Sequence, residues 1–219
     1  DEVLMPPLSF VATANAVAHL GALPHFVDVE PFSLAMDPVA LAERLDYLAL
    51  RVDGKTINRI TGSRLAAVLP VHVFGNPAHV MALKEVADAW GLPMIEDAAE
   101  ALGSWSGGTH CGLFGSMGVL SFNGNKLITT GGGGALISNS DELSHRARHL
   151  STTAKLSHPW EFDHDAIAWN DRLPNLNAAL GVAQLEDLDR RLKAKSQLAF
   201  LYANAFSCLD GAEILKPLP

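Results

Sequence analysis

An α/β fold built on parallel strands is the class this sequence predicts, on three observations. Short apolar runs alternate with stretches of helical periodicity. Residues 65–96 read as a strand, a helix and a second strand, the βαβ unit of parallel sheets. The side chains with chemistry to offer, Asp97, Ser121 and Lys126, fall at or just after the carboxyl ends of predicted strands, where α/β sheets hold their ligands.

In chain order, Thr13 to Leu20 predicts a short helix and His25 to Val29 a short strand, with Gly21 breaking the chain between them. Asp37 predicts the cap of a helix running through Leu41 and Leu45, because its carboxylate can accept from the free amides of a first turn. The polar stretch 51–63 predicts loop. Leu65 to Phe74 is a buried strand region that ends at Gly75. Val80, Leu83, Val86, Ala87 and Trp90 recur at helical spacing, Gly91 ends that helix, and Leu92 to Glu96 is the next strand. A right-handed crossover is expected between these two strands. Residues 119–122 and 135–138 predict further strands and 141–150 a helix. Leu180, Leu185, Leu188 and Leu192 predict one long helix from Pro174 toward Tyr202.

The 219 residues, 48% hydrophobic and 18% charged, suffice to bury the core of one large domain. A formal charge of −8 argues against a nucleic-acid groove or an anionic membrane surface as partner, since both want a basic face. Small soluble substrates fit better. Cys111 and Cys208 are the only cysteines and no Cys/His pattern has zinc-site spacing, so neither a disulfide framework nor a metal is indicated. A reducing cytoplasm is the expected location. No apolar run reaches the length of a bilayer span. The chain opens at Asp1 in an apolar segment and closes at Lys216-Pro-Leu-Pro219, so both ends are expected to be cut from something longer.

Lys126, within Ser121-Phe-Asn-Gly-Asn-Lys126, and Asp97, closing Pro93-Met-Ile-Glu-Asp97, form a complementary pair. Pyridoxal phosphate (PLP) needs an amine to hold its aldehyde as a Schiff base and a carboxylate to keep its pyridine nitrogen protonated. If the backbone stays extended past Asp97, Ala99 faces the same side, and a flat ring could lie against its methyl. Gly131 to Gly134 permits close approach of backbone to a ligand. Singly, each signal has a plainer reading: a solvated lysine, an Asp that only caps a turn, a flexible glycine loop. Gly124 to Leu127 lacks the first glycine and the Ser/Thr of a P-loop. His158, His164 and Asp165 suit a hydrated acidic loop better than a metal.

Order along the chain is more specific. Six blocks, Pro7 to Val17, Gly21 to Asp28, Pro70 to Gly75, Glu96 to Gly103, Ser121 to Lys126 with its glycine run, and Asn170 to Ala179, resemble the PLP-dependent nucleotide-sugar aminotransferases of the DegT/StrS family. The Asn123-Gly-Asn125 run, the four glycines and Trp160 to Asp165 look most like the branch acting on UDP-4-keto-6-deoxy-N-acetylhexosamines. The resemblance implies a fold type I PLP transferase, its large domain a mixed, mostly parallel sheet flanked by helices. Residues 1–200 would be that PLP-binding domain in part, and 201–219 the start of a small C-terminal domain. It implies that Lys126 forms the Schiff base and moves the proton, and that Asp97 pairs with the pyridine nitrogen beside Ala99. Ser121 matches the phosphate-binding serine. Asn170, helped by Arg172, matches the residue that reaches the phosphate in a neighbouring subunit, so a homodimer with shared sites is expected. Glutamate would donate the amine and a keto-sugar nucleotide receive it.

Two departures qualify this reading. Glu100 stands where many members have Gln or His near the cofactor's phenolic oxygen, and an ionised acid there can only accept. Asp171 replaces a common aromatic. The family's upstream Gly/Thr turn for the phosphate, and the aromatic that stacks on the ring, lie outside these 219 residues, so this piece alone is not expected to turn over. The alternative is a non-catalytic relative that binds a sugar nucleotide or serves as a dimerisation partner. Lys126 and Asp97 together disfavour it, and Lys126 also argues against the related dehydratases, which resemble this pattern with His in its place.

Overall fold

The computed structural model describes residues 1–211 and 214–215. In chain order its elements are β1 (Glu2–Met5), α1 (Val11–His19), β2 (Leu23–Phe26), α2 (Pro38–Leu48), β3 (Ala49–Val52), β4 (Lys55–Asn58) and β5 (Leu65–Val68). A 3-10 turn (Val73–Gly75), α3 (Val80–Ala89), β6 (Ile95–Asp97), β7 (Trp105–Ser106), β8 (Thr109–His110) and β9 (Met117–Ser121) follow. The chain continues through β10 (Gly134–Ile137), α4 (Asp141–Ser151), α5 (Asn175–Glu186) and α6 (Leu188–Phe206).

The sheet is mixed and mostly parallel. One half runs β2-β1-β5, all parallel; the other runs β6-β9-β10, with β6 and β9 parallel and β10 antiparallel at the edge. Parallel bridges Val68 to Met94 and Val71 to Asp97 join the halves, so β5 and β6 are neighbours across α3. Asp97 and Ser121 therefore end adjacent strands at one edge of the sheet.

Helix formation follows local chemistry. Asp37 Oδ1 accepts from the Val39 N–H at 2.8 Å, Pro38 takes the first helical position, and Leu41, Leu45 and Leu48 turn one face of α2 inward. In α3, Val80, Leu83 and Ala87 do the same at helical spacing. These two faces meet Leu4, Val68 and Met94 of the sheet in the main core. Each fully buried leucine contributes about 1.5–3 kcal/mol there. A smaller cluster, Ala98, Ala101, Cys111 and Leu120 with Phe122 and Ile137 against it, forms a packed floor beneath the ends of β6 and β9.

Three expectations are corrected, and one stretch read only as apolar is a strand. Residues 51–63 are not all loop, because Asp53 (φ 48°) and Gly54 (φ 75°) make the tight turn that pairs β3 with β4. The apolar start of the chain is a central strand, β1. The strand expected at His25 to Val29 begins earlier, at Leu23. The single long helix after Pro174 is two, broken at Asp187 (φ −98°, ψ 6°), whose carboxylate binds Arg190 and Arg191 instead of continuing the helix face. The domain boundary expected at 200/201 falls inside α6, and residues 212, 213 and 216–219 of the second stretch lie outside the described residues. Among the described residues no helix is long and apolar enough to cross a membrane.

Candidate active site

Asp97 is fixed from both sides. Its N–H donates to the Pro70 carbonyl at 2.9 Å and its carbonyl accepts from the His72 N–H at 3.0 Å, tying the end of β6 to the segment after β5. In the side chain, Oδ1 accepts from the Ala99 N–H at 3.1 Å and Oδ2 from the Thr13 hydroxyl at 2.6 Å. The backbone consequently does not stay extended past Asp97. The carboxylate captures the amide two residues on, and Ala101 N–H to Ala98 O (2.9 Å) closes the turn. Ala99 thus meets Asp97 through its backbone amide, not through strand alternation.

Lys126 follows β9 in a turn closed by its own N–H to the Asn123 carbonyl (3.1 Å). Its Nζ lies 3.0 Å from Glu100 Oε1, and its side chain is only 16% exposed, which sets it apart from a solvated surface lysine. Glu100 is clamped in turn, since Oε2 accepts from the Phe74 N–H at 3.0 Å. Phe74 holds φ 57°, a conformation that L side chains adopt at a cost of about 1–3 kcal/mol and that clusters at functional sites. With Glu100 43% exposed, the pair adds at most about 1 kcal/mol to stability, so its consequence is positional: the amine is tied to the turn that follows Asp97.

The residue before Asp97 anchors a buried polar node. Glu96 is fully buried, and its Oε1 accepts from the N–H groups of Phe114 and Gly115 (both 2.7 Å), its Oε2 from Gly112 N–H (2.8 Å) and His72 (3.0 Å). His72 Nδ1 accepts from Ala78 N–H, which leaves the ring proton on Nε2 to face Glu96. Burial alone would raise the Glu96 pKa, but the bonds from His72 and the loop amides outweigh it and hold the carboxyl below its ordinary value. Burial also pushes the Cys111 thiol up to about 11, with the Glu96 charge adding to it.

Ser121 closes β9, pairs with Gly134 across the antiparallel ladder, and accepts from the Asn123 N–H at 3.3 Å. The glycine run lies against α5: Asn177 donates to the Thr130 carbonyl, Gln184 accepts from Thr129 N–H, and Gly181 brings the helix up to the Thr130 methyl. Gly133, at φ 113°, has no room for a Cβ beside Leu173. Asn170 and Arg172 are exposed, and neither side chain hydrogen-bonds the Asp97, Glu100 and Lys126 group among the described residues. The structure therefore gathers Asp97, Ala99, Glu100 and Lys126, places Ser121 on the next strand end, and leaves Asn170 and Arg172 apart. Thr13, His72, Glu96 and the Phe74 amide were not anticipated. The one signal for them was ionisable residues inside apolar strand runs, His72 in Leu65 to Phe74 and Glu96 in Leu92 to Glu96.

The donor set fits PLP. An amine is available for the aldehyde, and among the described residues each Asp97 oxygen has a single donor, leaving lone pairs for a ring N–H. A partly buried lysine and an acid near the carboxyl edge of a mostly parallel sheet are the two groups that the large domain of a PLP-dependent transferase needs. The chain belongs to the DegT/DnrJ/EryC1/StrS aminotransferase family, whose model matches residues 1–218. That family and its structural neighbours are PLP-dependent. The chain is 38% identical to EpsN of Bacillus subtilis (strain 168) over 98% of its length and 53% of the relative's. To GDP-perosamine synthase of Vibrio cholerae it is 35% identical, over 95% of this chain and 52% of the relative. The crystal structure of the aminotransferase TlmJ from Streptoalloteichus hindustanus superposes with a TM-score of 0.88 at 34% identity, covering 100% of this chain and 55% of that one. The chain thus spans about half the length of the relatives it matches.

Proposed function

We propose that the whole protein is a cytoplasmic, homodimeric aminotransferase that takes an amino group from glutamate and delivers it to a keto-sugar nucleotide. A UDP-4-keto-6-deoxy-N-acetylhexosamine, on the way to surface-glycan or nonulosonic-acid precursors, is the acceptor that Asn123 to Lys126 and Trp160 to Asp165 favour. Residues 1–200 would make up part of its cofactor-binding domain. One observation carries the reading: a Lys126 amine held in place by Glu100, three residues from an Asp97 already fixed by two donors. The name of the GDP-perosamine synthase relative supports a sugar nucleotide as the class of acceptor.

Bound PLP supplies an electron sink for charge that develops at the amino-acid carbon. Lys126 Nζ would hold the cofactor and, as general base, would take and return the proton of that carbon. Asp97, its carboxylate fixed, would pair with the ring nitrogen, with Ala99 beside it, and Glu100 would accept near the phenolic oxygen. Ser121, at the end of β9, would donate to the phosphate. Asn170 and Arg172, exposed here, would reach the phosphate held by a second copy. Exposed apolar side chains on the same stretch, Trp160, Phe162, Ile167 and Trp169, support its burial in such an interface.

The test uses full-length protein loaded with PLP. Glutamate should convert the bound cofactor to pyridoxamine phosphate with release of 2-oxoglutarate, and the keto-sugar nucleotide should then restore PLP and yield the amino sugar. Asp97→Asn should keep PLP yet slow the glutamate step on the order of a hundredfold. Bound PLP that glutamate leaves unchanged would favour the non-catalytic alternative.

A further inference from the structure

Asp97 is not the end of its hydrogen-bond chain. Thr13 stands at the third position of α1, 6% exposed, and its hydroxyl donates to Asp97 Oδ2 at 2.6 Å. Ser9 Oγ lies 2.5 Å from Thr13 Oγ1 and 3.0 Å from the Phe10 carbonyl. A threonine hydroxyl has one proton to give. With that proton directed at Asp97, Ser9 must be the donor to Thr13, and the order is Ser9 to Thr13 to an ionised Asp97. The reverse order is equally complete. If Oδ2 carries a proton, Asp97 donates to Thr13, Thr13 to Ser9, and Ser9 to the Phe10 carbonyl, which is already in range.

We propose that Ser9 and Thr13 form a reversible hydroxyl relay that keeps Asp97 hydrogen-bonded whether or not it carries a proton, with Thr13 as the positioning residue for the acid under the cofactor ring. The inference rests on the PLP reading of the site. Switching direction needs only rotation of two hydroxyls, which neither gain nor lose a proton overall. Asp97 can then take a proton on Oδ2 without stranding a buried hydroxyl, a cost otherwise felt as an unsatisfied polar group, and a proton shared between its other oxygen and a ring nitrogen leaves the Thr13 bond in place. The relay also fastens α1 to the end of β6, linking parts of the chain 84 residues apart.

The experiment loads full-length protein with PLP carrying 15N in its ring and records the ring-nitrogen chemical shift together with the PLP dissociation constant. Thr13→Val keeps the shape and removes the hydroxyl. It should move the resonance toward that of an unprotonated ring and weaken PLP binding about tenfold, the loss of one hydrogen bond to a charged group. Thr13→Ser should restore both readouts, and Ser9→Ala should shift the resonance the same way by less. A Thr13→Val protein with wild-type resonance and affinity overturns the relay. So does a Thr13→Ser protein that fails to match wild type, or, should Thr13→Val not fold, a Ser9→Ala protein identical to wild type. Wild-type protein that binds no PLP overturns the cofactor reading and the relay together, whereas wild-type loading with unchanged variants overturns the relay alone.

Discussion

Glu96 takes no part in the proposed chemistry, yet its neighbour Asp97 depends on it. Its two oxygens collect three loop amides and one imidazole, so the loop at 112–115, the His72 segment and the end of β6 are tied at one buried point. Glu96→Gln would replace one oxygen with an amide NH2 that faces donors, leaving buried N–H groups unpaired. The variant should lose about 2 kcal/mol or more in urea unfolding at neutral pH. The folded carboxyl titrates below the ordinary value of 4.5, so the wild-type advantage is complete above that pH and shrinks as pH falls through the lower, folded value. Unfolding curves of the two proteins that stay equally far apart down to strong acid would remove Glu96 from this role. Asp97 was legible as an ionisable side chain closing an apolar strand, and Lys126, in a polar turn past the end of β9, through the order of the blocks around it. Thr13 was not, because only packing brings α1 to a carboxylate so distant in the chain.

At the scale of elements, the parts set by local chemistry were legible: the Asp37 cap, the buried stripes of α2 and α3, and the Gly91 stop at φ 62°. What escaped depends on partners. β1 reads as a loose apolar start until β2 and β5 pair with it on both sides. The β3 and β4 hairpin leaves Leu50, Arg51 and Val52 all exposed, so no buried apolar alternation marks β3, and only its Asp53-Gly54 turn announces it. The break at Asp187 interrupts leucine spacing that looks continuous, because periodicity carries no information on which face must turn. Close approach between elements is testable at Gly118 of β9, where a Cβ would meet the Gly112 carbonyl and backbone well inside van der Waals contact. Gly118→Ala should therefore lower stability by about 1–3 kcal/mol and loosen the loop that feeds Glu96. A melting temperature equal to wild type would show that β9 can move aside freely.

For the molecule as a whole, the proposed shared site makes a prediction that no single chain can satisfy. Lys126→Ala loses the amine, and Asn170→Ala loses a phosphate contact offered to the other protomer. When subunits exchange at random, half the dimers are mixed and one of their two sites has both residues intact, so activity should return to about a quarter of wild type, above the sum of the separate variants. No gain on mixing would place Asn170 outside a shared site. The central claim is more direct, that Lys126 is the residue that takes PLP covalently. Borohydride reduction of PLP-loaded full-length protein followed by peptide mass mapping measures it. The account predicts one pyridoxyl-modified peptide, with the label on Lys126 and none in Lys126→Ala; label on another lysine, or none on wild-type protein, would contradict it.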